Sequence, residues 1–100
     1  TLIFDEIDSG IGGKTAECIA EKLRDLSQRH QVICITHLPQ IAALADHHMV
    51  IEKIQEKDGV SVNVREAAAR EREEEIARML SGKVTEISRT HARELLGRKR

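Results

Sequence analysis

Tryptophan and tyrosine are absent from this sequence, and Phe4 is its one aromatic residue. Without aromatic bulk a core must be assembled from Ile, Leu, Val and Ala, so it is thin per residue. A chain of 100 residues supports at most one small domain. Cysteine is scarce too: Cys18 and Cys34 are too few and too far apart for a metal knuckle or a disulfide framework. Two free thiols in a reducing cytosol are expected instead. No apolar run approaches the length of a membrane span, and no stretch reads as a signal peptide, so the expectation is a cytoplasmic protein with no membrane partner. Charge of neither sign dominates. Lys and Arg total 16 against 17 Asp and Glu, and the net charge of −1 argues nothing about nucleic acid.

What is present is concentrated in the first thirteen residues, Thr1-Leu2-Ile3-Phe4-Asp5-Glu6-Ile7-Asp8-Ser9-Gly10-Ile11-Gly12-Gly13. The unbroken apolar run Leu2-Ile3-Phe4 predicts a short strand buried on both faces. It stops at Asp5 and Glu6, at the carboxyl end of the strand, where open parallel sheets bind ligands. An apolar strand closed by Asp-Glu is the Walker B pattern of nucleotide hydrolases, and two carboxylates there have different jobs. Asp5 would hold Mg²⁺ on the phosphates of ATP. Glu6 would polarise the attacking water. The loop Asp8-Ser9-Gly10-Ile11-Gly12-Gly13 stands where the D-loop of an ABC-type ATPase head would lie, against a second head. Glycine there permits close backbone approach and positive φ.

Gly13-Lys14-Thr15 imitates the end of a Walker A loop, G-x-x-x-x-G-K-S/T. The first glycine of that pattern falls on Asp8, and Asp5, Glu6 and Asp8 would crowd the phosphates with like charge. A P-loop kinase using these residues is therefore the alternative rather than the main reading. The chain opens inside a strand without an initiator methionine, and a Walker B strand needs a phosphate-binding loop; a fragment of a larger ATPase is expected.

Further along, Ala16, Ile19, Leu23 and Leu26 recur at helical spacing within a helix over 14–29. A second buried strand spans 32–36, which makes a right-handed parallel βαβ unit. His37 follows that strand directly and should share the sheet edge with Asp5 and Glu6, where an imidazole could hydrogen-bond a γ-phosphate or a water. Pro39 sits in the first turn of a short helix reaching Ala45. His47 and His48 open the next strand on opposite faces, a poor metal pair. Lys57-Asp58-Gly59 marks a hairpin turn, by its Asp-Gly pair, that closes the sheet, with Val60, Val62 and Val64 alternating on its second strand. A charged helix spans 67–80 with Ala69, Ile76, Met79 and Leu80 inward. Its block Arg70-Glu71-Arg72-Glu73-Glu74-Glu75 reads as a solvated face with local ion pairs. Thr85 is the expected N-cap of a last helix to Leu96, with Ile87, Ala92 and Leu95 inward. The tail Arg98-Lys99-Arg100 complements that helix end.

With Asp5-Glu6-Ile7-Asp8-Ser9-Gly10-Ile11-Gly12-Gly13, Ile35-Thr36-His37-Leu38-Pro39-Gln40-Ile41-Ala42 and Thr90-His91-Ala92-Arg93-Glu94-Leu95-Leu96 in view, the whole chain resembles the C-terminal end of the bacterial RecN family. These are SMC-like ATPases whose two terminal lobes join into one ABC-type head. The resemblance implies an α/β fold, a partial P-loop NTPase lobe with a parallel βαβ core, a β-hairpin and C-terminal helices. It implies Asp5 as the magnesium aspartate, Glu6 as the catalytic glutamate, Asp8, Ser9, Gly10, Gly12 and Gly13 as D-loop residues, and His37 as the switch histidine. It further implies ATP and Mg²⁺ as cofactors. The implied partners are an N-terminal lobe carrying Walker A, a second head across the nucleotide, and DNA with double-strand breaks at the nucleoid. Walker A, the Q-loop, the coiled coil and the signature sequence are missing here, so catalysis would belong to the parent protein. A non-catalytic interaction domain, binding a partner through the hairpin and charged helix, stays open beside it.

Overall fold

The computed structural model describes residues 1–5 and 12–97. Its elements run β1 (Leu2–Asp5), α1 (Gly13–Ser27), β2 (Val32–Ile35), α2 (Pro39–Ala42), β3 (Met49–Glu56), β4 (Gly59–Glu66), α3 (Ala69–Ser81) and α4 (Glu86–Gly97). Among the described residues the architecture is α/β, with two small sheets and four helices.

β1 and β2 pair in parallel, Leu2 opposite Val32 and Asp5 opposite Ile35. Their alternation puts Phe4, Val32 and Cys34 on the face toward α1, around buried Ala20, Leu23 and Ile41. Ala16 completes the buried stripe of α1, while Leu26, expected inward, is partly exposed. The strands are not buried on both faces. Ile3 is 68% exposed, and Ile33 and Ile35 beside it are also exposed. A continuous apolar run needs a layer on each side, and the described residues supply one.

The hairpin does not close this sheet. β3 and β4 form a separate two-stranded antiparallel sheet, from Met49 opposite Glu66 to Glu56 opposite Gly59. α2 and the turns after it carry the chain away from β2, so β3 completes its ladder with β4. The turn falls within the expected Lys57-Asp58-Gly59. Lys57 and Asp58 make the connection, and Gly59 opens β4 with φ +142°, a conformation that favours glycine. His47 and His48 precede β3 rather than beginning it. Its register gathers Met49, Ile51, Val60, Val62 and Val64 on one face, and all five are exposed.

A second core joins α2, α3 and α4 through Ala42, Ala43, Ile76, Ala77, Ala92 and Leu95. α3 stops at Gly82, whose φ of +78° is left-handed and whose N–H donates to Arg78 O at 2.7 Å. Thr85 caps α4 as expected: its Oγ1 accepts from Ser88 N–H at 3.1 Å, and Ser88 Oγ accepts from Thr85 N–H at 2.8 Å. This is a capping box closed by serine instead of glutamate. The inward face differs from the expectation, because Ser88 is buried and Ile87 is 84% exposed. Ser88, Ala92 and Leu95 keep helical spacing, and Ile87 falls off that line. In α3, Ala69 is exposed and Ala77 takes its place beside Ile76.

Candidate functional site at the carboxyl edge of the parallel sheet

Asp5 ends β1 and is exposed. Its register partner is Ile35, the last residue of β2, and His37 follows two residues later, also exposed. Parallel pairing thus puts the strand ends that carry Asp5 and His37 at one edge. Leu38 N–H donates to Thr36 Oγ1 at 3.0 Å, a turn that folds the backbone around His37. Leu38 then serves as N-cap residue of α2, with Pro39 in the first turn, where a missing N–H is tolerated.

Glu6, Asp8, Ser9 and Gly10 lie outside the described residues, as do Arg98, Lys99 and Arg100. Gly12 is the N-cap residue of α1 and Gly13 its first residue. Gly12 has φ −82°, which any residue adopts, and a Cβ there would meet nothing within 4 Å. Positive φ is therefore not what glycine supplies at position 12. Lys14 and Thr15 are exposed in the first turn of α1.

The block 70–75 is not simply a solvated face. Arg72 Nη2 donates to three carbonyl oxygens around the C-terminal end of α2: Ala42 at 3.0 Å, Ala43 at 3.1 Å and Ala45 at 2.5 Å. Burial holds the Arg72 guanidinium pKa below its ordinary value, against an opposing contribution from Asp46. His48 lies half-buried in the same region. Burial first, and then the Arg72 charge, lower its pKa, with Glu75 opposing. Among the described residues, buried His48 Nδ1 and Arg72 Nε find no hydrogen-bond partner. The ion pairs of this block reach other elements as well as its own helix. Arg65 of β4 bridges Glu52 and Glu71, Arg93 meets Glu73 at 3.1 Å, and Arg89 meets Glu74 at 3.4 Å. Only Arg78 and Glu75 pair at local helical spacing among the described residues.

Sequence reasoning missed Arg72. The signal for Arg72 was its position four residues before Ile76, which puts it on the inward face of α3. Among the described residues, no group of three His, Cys, Asp or Glu side chains could hold a metal ion. A shallow cleft of about 440 Å³ on α4, lined by Val84, Thr85, Glu86, Arg89, Thr90 and Arg93, contains none of the candidate residues. No helix among the described residues is long and apolar enough to cross a membrane.

No family model matches the chain. Curated proteins do. The DNA repair protein RecN of Deinococcus radiodurans is 53% identical over 97 residues, 96% of this chain and 17% of that protein. Those of Halalkalibacterium halodurans and Bacillus subtilis are 48% and 47% identical, over 96% of this chain and 17% of each protein. The chain therefore spans about a sixth of the length of these relatives. Nearly every residue takes part in the match, and on that ground the chain resembles a segment of the DNA repair protein RecN.

Proposed function

We propose that this segment is the C-terminal lobe of an ABC/SMC-type ATPase head that hydrolyses ATP in a RecN-like protein acting on DNA double-strand breaks, within the cytoplasm at the nucleoid. The observation that carries the reading is the register of Asp5 with Ile35, which sets an acidic strand end beside the segment bearing His37. Asp5 suits Mg²⁺ by its chemistry: it is an exposed hard carboxylate, and Mg²⁺ takes one or two carboxylates while sharing phosphate oxygens and keeping waters. Bound there, the ion would neutralise charge on the phosphates. Glu6 accepts a proton from the attacking water, and His37 donates a hydrogen bond at the γ-phosphate position. Asp8, Ser9, Gly10, Gly12 and Gly13 form the D-loop toward a second head.

The phosphate cradle has to come from the N-terminal lobe of the same head. The exposed aliphatic faces, Ile3-Ile33-Ile35 and Met49-Ile51-Val60-Val62-Val64, support a partner lobe, since contiguous bare aliphatic surface marks an interaction site. The test uses the full-length protein. Glu6→Gln should leave Mg-ATP binding nearly intact and slow hydrolysis by roughly 10²–10⁴, the range for loss of a general base. Asp5→Asn should weaken the metal-dependent part of binding. Equal loss of nucleotide affinity in both variants would overturn the division of roles.

A further inference from the structure

We infer that Arg72 is a positioning residue for His37, acting through α2. The inference rests on the reading of His37 given above. It is carried by the three bonds from Arg72 Nη2 to Ala42, Ala43 and Ala45 carbonyl oxygens.

α2 is four residues long, too short to hold itself, and a helix of that size ends in carbonyls that lack intrahelical partners. Arg72 supplies the missing donor with a cation, the charge that suits a helix C-terminus. Its own position is fixed one turn later by Ile76, which is fully buried in the second core. The other end of α2 runs into Leu38, whose N–H is held by Thr36 Oγ1 at 3.0 Å. His37 therefore sits between two anchors. One is the β2 ladder, which registers Ile35 against Asp5. The other is α2, which Arg72 ties to α3. Ile41 of α2 packs in the first core and Ala42 and Ala43 in the second, so the clamp is placed where the two cores meet. With Arg72 weakened, α2 can shift against α3, and His37 moves relative to Asp5. Lysine is not an equivalent, because its ammonium rides on a shorter, more flexible stem than the Nη2 that meets all three carbonyls.

The experiment compares Arg72→Lys, His37→Ala and the double variant in the full-length protein. Readouts are kcat and KM for Mg-ATP, thermal melts, and peptide-level amide hydrogen exchange. Arg72→Lys should lower kcat about tenfold or more with KM changed less than about twofold, since small misplacement of a reacting group costs rate out of proportion to binding. Exchange should quicken across residues 41–45 while peptides covering Ile76 and Ala92 hold their protection. Adding His37→Ala to Arg72→Lys should cost less than about twofold more, because residues acting as a unit are not additive. Unchanged exchange at 41–45, or losses that simply multiply, overturns the proposal. So does a lowered melt with normal kcat per folded molecule. Wild-type turnover in His37→Ala alone would retire the role of His37 and take the proposal with it. That result comes from a variant with Arg72 intact, so it is distinguishable from failure of the clamp.

Discussion

Replacing Ile76 by alanine should be among the most damaging changes to this segment, and replacing Ile87 among the least. Ile76 is 0% exposed and is the largest fully buried side chain among the described residues, whereas Ile87 stands 84% in solvent. The substitution removes three carbons, and at about 0.8 kcal/mol each their transfer alone is worth roughly 2.4 kcal/mol. A cavity term adds to this, because neighbours relax only partly; isoleucine-to-alanine changes in cores cost about 2–5 kcal/mol in all. The surroundings of Ile76 favour the upper half of that range. Ala42, Ala43, Ala77 and Ala92 have no side chain that can swing into the space, which leaves Leu95 and the partly buried Met79, Leu80 and Leu96 to reach toward it. We therefore expect about 3–5 kcal/mol for Ile76→Ala and less than about 0.5 kcal/mol for Ile87→Ala. For a domain whose total stability is about 5–15 kcal/mol, the first is a large fraction. Urea denaturation followed by far-ultraviolet circular dichroism is the assay, since the chain has no tryptophan or tyrosine to report by fluorescence. The midpoint should fall by more than about 1 M in Ile76→Ala. Equal costs at the two positions would refute the assignment of the inward face of α4 and the packing of α3 against it.

Two further outcomes follow from single residues. His48 has a folded pKa below its ordinary value of 6.5, so the unfolded chain takes the proton first as pH falls. The stability tied to neutral His48 is fully present above that value and is lost as pH drops from it toward the lower folded one. Urea midpoints should decline over that window in the wild type and decline less in His48→Gln; identical slopes would remove His48 as the cause. Gly82→Ala should cost about 1 kcal/mol, read as a lower midpoint. The cost comes from backbone alone, because φ is +78° and a Cβ there would meet nothing within 4 Å. A neutral result would mean that α3 ends without its left-handed cap.

The local elements, and the pairing of β1 with β2 that organises them, are legible in the residues alone. The apolar runs at 2–4 and 32–35 with a helical stripe between them specify a parallel βαβ unit, because a crossover helix leaves few other arrangements. That topology alone brings the strand ends bearing Asp5 and His37 to one edge. Pro39 and Thr85 marked their helix ends because each acts through its own backbone neighbourhood. Tertiary structure decided what lies against what. The hairpin, expected to close the first sheet, forms its own, since alternation fixes which face is apolar but not which edge is paired. Ile87 was expected inward by its hydrophobicity and Ser88 is buried instead, because the capping bonds satisfy the serine hydroxyl and helical spacing aligns it with Ala92 and Leu95. Arg72 stood in a run of charges that reads as solvated face. Only the approach of α2 to α3 supplied the carbonyl oxygens that make burying a guanidinium favourable there.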